Sequence, residues 1–230
     1  MKNGIIYKGP SLIDGKPIVV IATWSDRNRK TGGVLQTYIM RSDISPLEAS
    51  KTGADYSICG DCKFRGTPTA DPKLKQAVER DCYVVLGQGP TVVYKAYTRG
   101  IYPMADDTAS RRALGHRRIV RLGTYGDPAA VPEAVWSDLL HTADDWLAYT
   151  HQSGWRPDLA MQSADNYHQA WSQWRLGNRT FRVIADVGEL DSAHEVLCPA
   201  SKEAGARTQC NSCKLCAGWK TAKSVAIVQH

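Results

Sequence analysis

No stretch of this chain approaches the ~18 consecutive apolar residues of a membrane-spanning helix. Its opening, MKNGIIYKGPSLIDGKP, lacks the long apolar h-region of a secretory signal. The expectation is a soluble cytoplasmic protein with no membrane partner. There is no low-complexity segment and no internal repeat, which argues against a solenoid. Nothing resembles a phosphate-cradling P-loop, and no Ser-His-Asp arrangement can be argued from spacing. What remains is a chain of 230 residues, long enough for one sizeable domain, with 43% hydrophobic residues to build a core. A formal charge of +6 allows nucleic acid as a partner without requiring it.

Cysteine is the residue present in an unusual pattern. In a reducing cytosol disulfides are rare, and an odd count of seven cannot pair completely. Clustered cysteines in such a chain point to metal or cluster ligands. CPASKEAGARTQCNSCKLC (198–216) holds Cys198, Cys210, Cys213 and Cys216. Zinc sites usually pair their thiolates as C-x-x-C, two pairs to an ion. The run C-x-x-C-x-x-C instead suits three corners of a [4Fe–4S] cluster, and Cys198-Pro199 matches the separate Cys-Pro of bacterial ferredoxins. The four thiols are therefore expected to close a [4Fe–4S] cluster, with zinc as the alternative and unligated thiols as the plain one. Upstream, Cys59-x-x-Cys62 forms a claw and Cys82 follows. Three thiolates leave one coordination position. It is open for a small molecule in a catalytic site, or filled in a structural site by a histidine such as His116 or His151.

The rest of the chain reads as α/β. PIVVIAT (17–23) and VLQTYIMR (34–41) are expected strands of an N-terminal β-hairpin around the polar loop WSDRNRKTGG. A short helix is expected over 72–80, and two strands around a glycine-rich turn over 82–97. ADDTASRRALGHRR (105–118) is an expected helix with Asp106, Asp107 or Thr108 as its cap. Strands follow at 118–127, 148–152, 159–165, 180–187 and 224–230. Helices are expected after Pro132 and over 167–178. The architecture is a partial (βα) barrel or an open mixed sheet, carrying two cysteine-ligated sites. As one domain it divides into N-terminal strands (1–50), the first cysteine group and a basic helix (51–118), βα units (119–197) and the C-terminal cysteine cluster with the last strand (198–230).

Ligands of such folds bind at the carboxyl ends of strands. Three expected strands end there in polar residues, which makes Asp127, His151 and Asp165 the candidate catalytic groups. The bland reading of each is also open: Asp127 as a helix cap and His151 as a hydrogen-bonded packing residue. Arg111, Arg112, Arg117 and Arg118, with Arg121, form a candidate phosphate-contacting patch, against the plain reading of a solvated helix end. Trp136, Trp146, Trp171 and Trp174 are expected in the core.

The segments NGIIYKGPSLIDGKPIVVIAT, RLGTYGDPAAVP, YTHQ, TFRVI and CPASKEAG…CNSCKLCAG together resemble a family of uncharacterised phage and mobile-element proteins. Cys82-Tyr83, Gly126-Asp127 and the last four cysteines match the layout of a broader phage family. That layout is itself similar to radical S-adenosylmethionine enzymes. The resemblance implies an open cluster on three cysteines, a partial barrel, an auxiliary C-terminal cluster and S-adenosylmethionine as co-substrate. It also implies a phage-encoded protein in the host cytoplasm. The chain departs from those enzymes in lacking C-x-x-x-C-x-x-C and a clear glycine-rich methionine-recognition motif, unless YGD stands in. Two functions follow as expectations. One is an iron–sulfur enzyme of that layout. The other is a non-enzymatic protein, stapled by zinc or iron–sulfur centres, that binds nucleic acid or a host protein.

Overall fold

The computed structural model describes residues 1–229; His230, assigned above to the last strand, lies outside the described residues. Three strands come first: β1 (Asn3–Pro10), β2 (Pro17–Ser25) and β3 (Val34–Arg41). Then come β4 (Ile119–Tyr125), β5 (Asp145–Thr150), β6 (Met161–Ala164), β7 (Thr180–Ile184), β8 (Glu195–Leu197) and β9 (Ser224–Val228). All nine form one sheet in the order β1-β2-β3-β4-β5-β6-β7-β9-β8. β1, β2 and β3 pair antiparallel; every pairing from β3 onward is parallel. The fold is α/β, with a mixed sheet that does not close. Its strands follow chain order through β7, the winding of a barrel rather than the reversing order of a doubly wound sheet.

Sequence explains the strands. β2 is an unbroken apolar run, and Ile18, Val19, Val20, Ile21 and Ala22 are all fully buried. Such a run marks a strand covered on both faces. Helices α1 (Pro46–Thr52), α2 (Tyr56–Cys59), α3 (Gly89–Thr98) and α4 (Thr108–Gly115) lie in the long connection between β3 and β4. α5 (Glu133–Leu140) joins β4 to β5, α6 (Tyr167–Arg175) joins β6 to β7, and the single turn α7 (Cys210–Cys213) lies between β8 and β9. Asp107 caps α4, its carboxylate accepting from the Ser110 amide, as one of the three expected caps.

The structure corrects several expectations. Residues 72–80 form no helix. The two strands expected over 82–97 are a loop followed by α3. Pro90 in its first turn favours a helix start, and Val93, Tyr94 and Tyr97 meet the core at helical spacing. β1 and β8 lie outside the expected set. Of the four tryptophans, Trp136 is fully buried and donates to the Pro128 carbonyl, while Trp171 is a surface residue of α6.

α4 and α5 touch through Gly115. A Cβ there would stand 1.8 Å from the Leu139 carbonyl oxygen. Gly115→Ala is expected to lower stability by about 3 kcal/mol, because backbone cannot rotate aside as a side chain can. Denaturant unfolding measures this, and an unchanged midpoint would mean that the helix pair shifts apart freely.

Candidate thiol-lined cavity on the sheet

The strand ends position the first cysteine group. Gly126 leaves β4 at φ +82, where a Cβ would collide with Ile39. That turn lets the Asp127 amide donate to the Ile58 carbonyl, which docks α2 and Cys59 against β4. From β5, the Gln152 side-chain amide donates to the Cys59 carbonyl at 3.3 Å. Beyond β6, the Lys63 ammonium donates to the Asp165 carbonyl at 2.7 Å. The Cys59–Cys62 turn is thus tied to three adjacent strand ends. Arg65 clamps it from behind, donating to the Asp55 carboxylate and to the Gly53 and Gly60 carbonyls. Cys82 joins through its amide, which donates to the Phe64 carbonyl.

The second group lies farther back along the strands. The Cys198 amide donates to Ala226 of β9, and the Ala148 amide of β5 donates to the Cys216 carbonyl. α7 docks on the β2–β3 loop, where the Cys210 and Asn211 amides donate to the Lys30 and Thr31 carbonyls. Buried Arg179 gathers the chain after Cys213 by donating to the carbonyls of Leu215, Ala217, Ala222 and Lys223.

Between the two groups lies a cavity of about 230 Å³. Cys59, Cys62 and Cys82 line one part of it, and Cys198, Cys210 and Cys216 another. Cys213 is not among the lining residues. Asp127 and His151 line it too, and Asp165 stands against His151, its Oδ1 3.6 Å from the imidazole Nε2. The three polar strand ends therefore converge on the first thiol group.

Their surroundings differ. Asp127 is buried, with both oxygens engaged: it accepts from the Ala129 amide, the Thr150 hydroxyl and the His151 amide. Burial raises its pKa, against the three hydrogen bonds that lower it. It caps the 3-10 turn Pro128–Ala130 and fixes the backbone at His151, so the cap anticipated among its readings is present. His151 has its ring between the Asp165 carboxylate and the Cys62 thiol. Burial pulls its pKa down, but those two neighbours outweigh it and hold the imidazole raised, to about 10. His116, the other histidine named as a ligand, is the exposed C-cap of α4.

Burial also pushes the thiols up. Cys59 is raised well above its ordinary value by desolvation, by Asp55, and by the neighbouring Cys62 and Cys82. Cys216 is pushed up to about 12 by desolvation, with Cys198, Cys210 and Cys213 adding to the rise. Within each group, ionising one thiol opposes ionising the next, and a bound cation reverses that sign. Among the described residues no three His, Cys, Asp or Glu side chains are already arranged to hold a metal ion. The donor set is nonetheless thiol-rich, and orphaned polar atoms gather beside it. Buried polar atoms with no hydrogen-bond partner are rare in folded proteins. Among the described residues they are Arg121 Nε and Tyr125 Oη on cavity residues, Arg118 Nη1 elsewhere, and His151 Nε2 and Asp165 Oδ1, which face each other at 3.6 Å as an ion pair beyond hydrogen-bond length.

The residues of the basic patch are engaged to different degrees. Arg111 donates to the Ile6 carbonyl and pairs with Asp138. Arg118 donates to the Met1 carbonyl. Arg112 and Arg117 remain exposed. Arg121 leaves the patch altogether for the cavity wall. The one sequence signal for this was a charged residue inside a strand otherwise apolar in alternation.

What fold and site define together is a class: an open, barrel-wound α/β sheet with a thiol-lined cavity. Comparison with family models, curated proteins and solved structures returns no match for the chain.

Proposed function

We propose that this chain is an iron–sulfur protein that holds a small molecule between two thiolate-bound centres, with the layout of a radical S-adenosylmethionine enzyme. One observation carries the reading: six of the seven cysteines line a single cavity. Cys198, Cys210, Cys213 and Cys216 would hold a closed [4Fe–4S] centre. Cys59, Cys62 and Cys82 would hold an open one. Such centres supply electron transfer and, where a coordination position is open, a place for S-adenosylmethionine or another small molecule.

The chain's own residues would do the rest. Asp127 locks the backbone that presents His151. His151, between Asp165 and Cys62, is placed to hold a proton at the edge of the first thiol group. Phe64, Tyr83 and Val84, all lining residues, help wall the cavity with the two cysteine loops. A second reading of the first group has specific support: three thiols with His151 beside them make a Cys₃His donor set, which suits zinc. Asp165 would then orient the imidazole in the usual carboxylate–histidine pairing.

Purification without oxygen, followed by visible absorption and metal analysis, tests the proposal. The expected sample is brown, with broad absorption lost on reduction, and contains iron and acid-labile sulfide. A colourless protein with stoichiometric zinc and no iron would sink the iron–sulfur reading.

A further inference from the structure

β4 places Val120 and Leu122, both fully buried, on one face and Arg121 on the other, toward the cavity. A guanidinium keeps its charge at every ordinary pH, so one whose Nε is buried away from water calls for an anion. The protein supplies no carboxylate for it. Among the described residues its one hydrogen bond runs from Nη2 to the Tyr83 hydroxyl, and its Nε is buried with no partner. Two carboxylates line the same cavity: Asp127 has both oxygens committed elsewhere, and Asp81 is exposed and, among the described residues, makes no hydrogen bond or ion pair with Arg121. The rings of Tyr83 and Tyr149 flank the guanidinium with centroids 5.7 and 5.8 Å away. They hold the side chain in place, but as neutral phenols they cannot balance its charge.

We propose that Arg121 recognises the carboxylate of a small organic acid whose apolar or aromatic body lies against Tyr149, Phe181 and Ile227. The inference rests on the reading of this cavity as a ligand site between two thiol groups, and it names the class of ligand. The volume limits that ligand. At about 230 Å³ the cavity falls below the roughly 300–1,000 Å³ of sites for drug-sized molecules, so a body of one ring fits the space. The wall chemistry selects the body: the rings of Tyr149 and Phe181, with centroids 4.3 Å apart and planes inclined at 42°, present an aromatic surface next to the charge. Arginine suits the head group because its donors form a planar fork matching a carboxylate.

Cys210 and Cys216 line the cavity beside Arg121 and would meet its charge only if ionised. The experiment separates that role from carboxylate recognition. The protein, purified without oxygen and with its metal content measured on the same sample, is titrated calorimetrically with benzoate and with the neutral benzamide. Benzoate is expected to bind at least about tenfold tighter, the scale of a hydrogen bond to a charged group. Arg121→Gln should abolish that preference and Arg121→Lys should keep part of it. Undetectable benzoate binding, equal binding of the two compounds, or an unchanged preference in Arg121→Gln overturns the proposal. So does an Arg121→Gln protein that loses metal or changes its visible spectrum while still preferring benzoate, since Arg121 would then serve the thiolates. If Arg121→Gln does not fold, the wild-type comparison and Arg121→Lys decide. A metal-free sample that prefers benzoate retires the iron–sulfur reading and leaves the anion site standing. A metal-replete sample without the preference does the reverse.

Discussion

Cys213→Ser is expected to lower the thermal midpoint more than Cys82→Ser does, and to cost several kcal/mol in the metal-bound protein. Binding of a structural metal by thiolates is folding free energy, about 10–16 kcal/mol for zinc in small peptides, so loss of one ligand forfeits a sizeable part. Cys213 ends α7, whose other attachments are backbone bonds from Cys210 and Asn211 to a surface loop. When that turn loosens, the segment leading into β9 keeps only the Arg179 hydrogen bonds and the Ala148–Cys216 hydrogen bond as anchors, and β9 is the strand between β7 and β8. Cys82 stands in a loop pinned independently by its amide bond to Phe64 and by Arg80, which donates to the Cys82 carbonyl at 3.1 Å. Differential scanning of both variants, each with metal analysis, measures the contrast. If Cys82→Ser abolishes soluble expression while Cys213→Ser is silent, the closed and open groups have been assigned in reverse.

Glu195→Ala is expected to destabilise the protein by about 3–5 kcal/mol, because it strands a buried guanidinium. Glu195 on β8 and Arg182 on β7 form a two-point pair across β9. Nε donates to Oε1 at 2.9 Å and Nη2 to Oε2 at 2.5 Å, with side-chain exposures of 0% and 3%. Arg182 also donates to the Glu189 carbonyl, so its partners close a ring around that edge of the sheet. Removing one partner of such a pair costs far more than removing both. The double variant Arg182→Leu/Glu195→Leu should therefore recover most of the loss. A denaturation midpoint for Glu195→Ala within about 1 kcal/mol of wild type would show that water reaches Arg182 and shares its charge.

Much of the parallel half of the sheet was legible because its strands are short apolar runs bounded by turn residues. The runs at 118–127, 180–187 and 224–230 each announce a strand by composition and length, and each contains one: Ile119–Tyr125, Thr180–Ile184 and Ser224–Val228. The segment 82–97 misled for a definable reason. Its valines and tyrosines favour strands intrinsically, but their packing against the core at helical spacing, after a proline in the first turn, prevailed. β8, only three residues long, carries too little pattern to be seen. Its place depends on Arg182 and β9.

By itself the sequence determined the chemistry available: seven thiols in two groups, three polar strand ends, and enough apolar residue for an α/β core. Spacing decides those things locally, through ligand bite, turn residues and the period of buried positions. Only the tertiary structure decided which groups meet. It placed both cysteine groups on one cavity, because the β3–β4 connection folds back over the strand ends and α7 docks on the distant β2–β3 loop. It brought His151 between Asp165 and Cys62, from segments far apart in the chain. It also took Arg121 out of an apparent basic patch and set it beside the thiols, because neighbouring residues of a strand face opposite ways. Long-range docking is a collective property of the packed sheet, so beyond the alternation that turned Arg121 inward no local pattern could carry it.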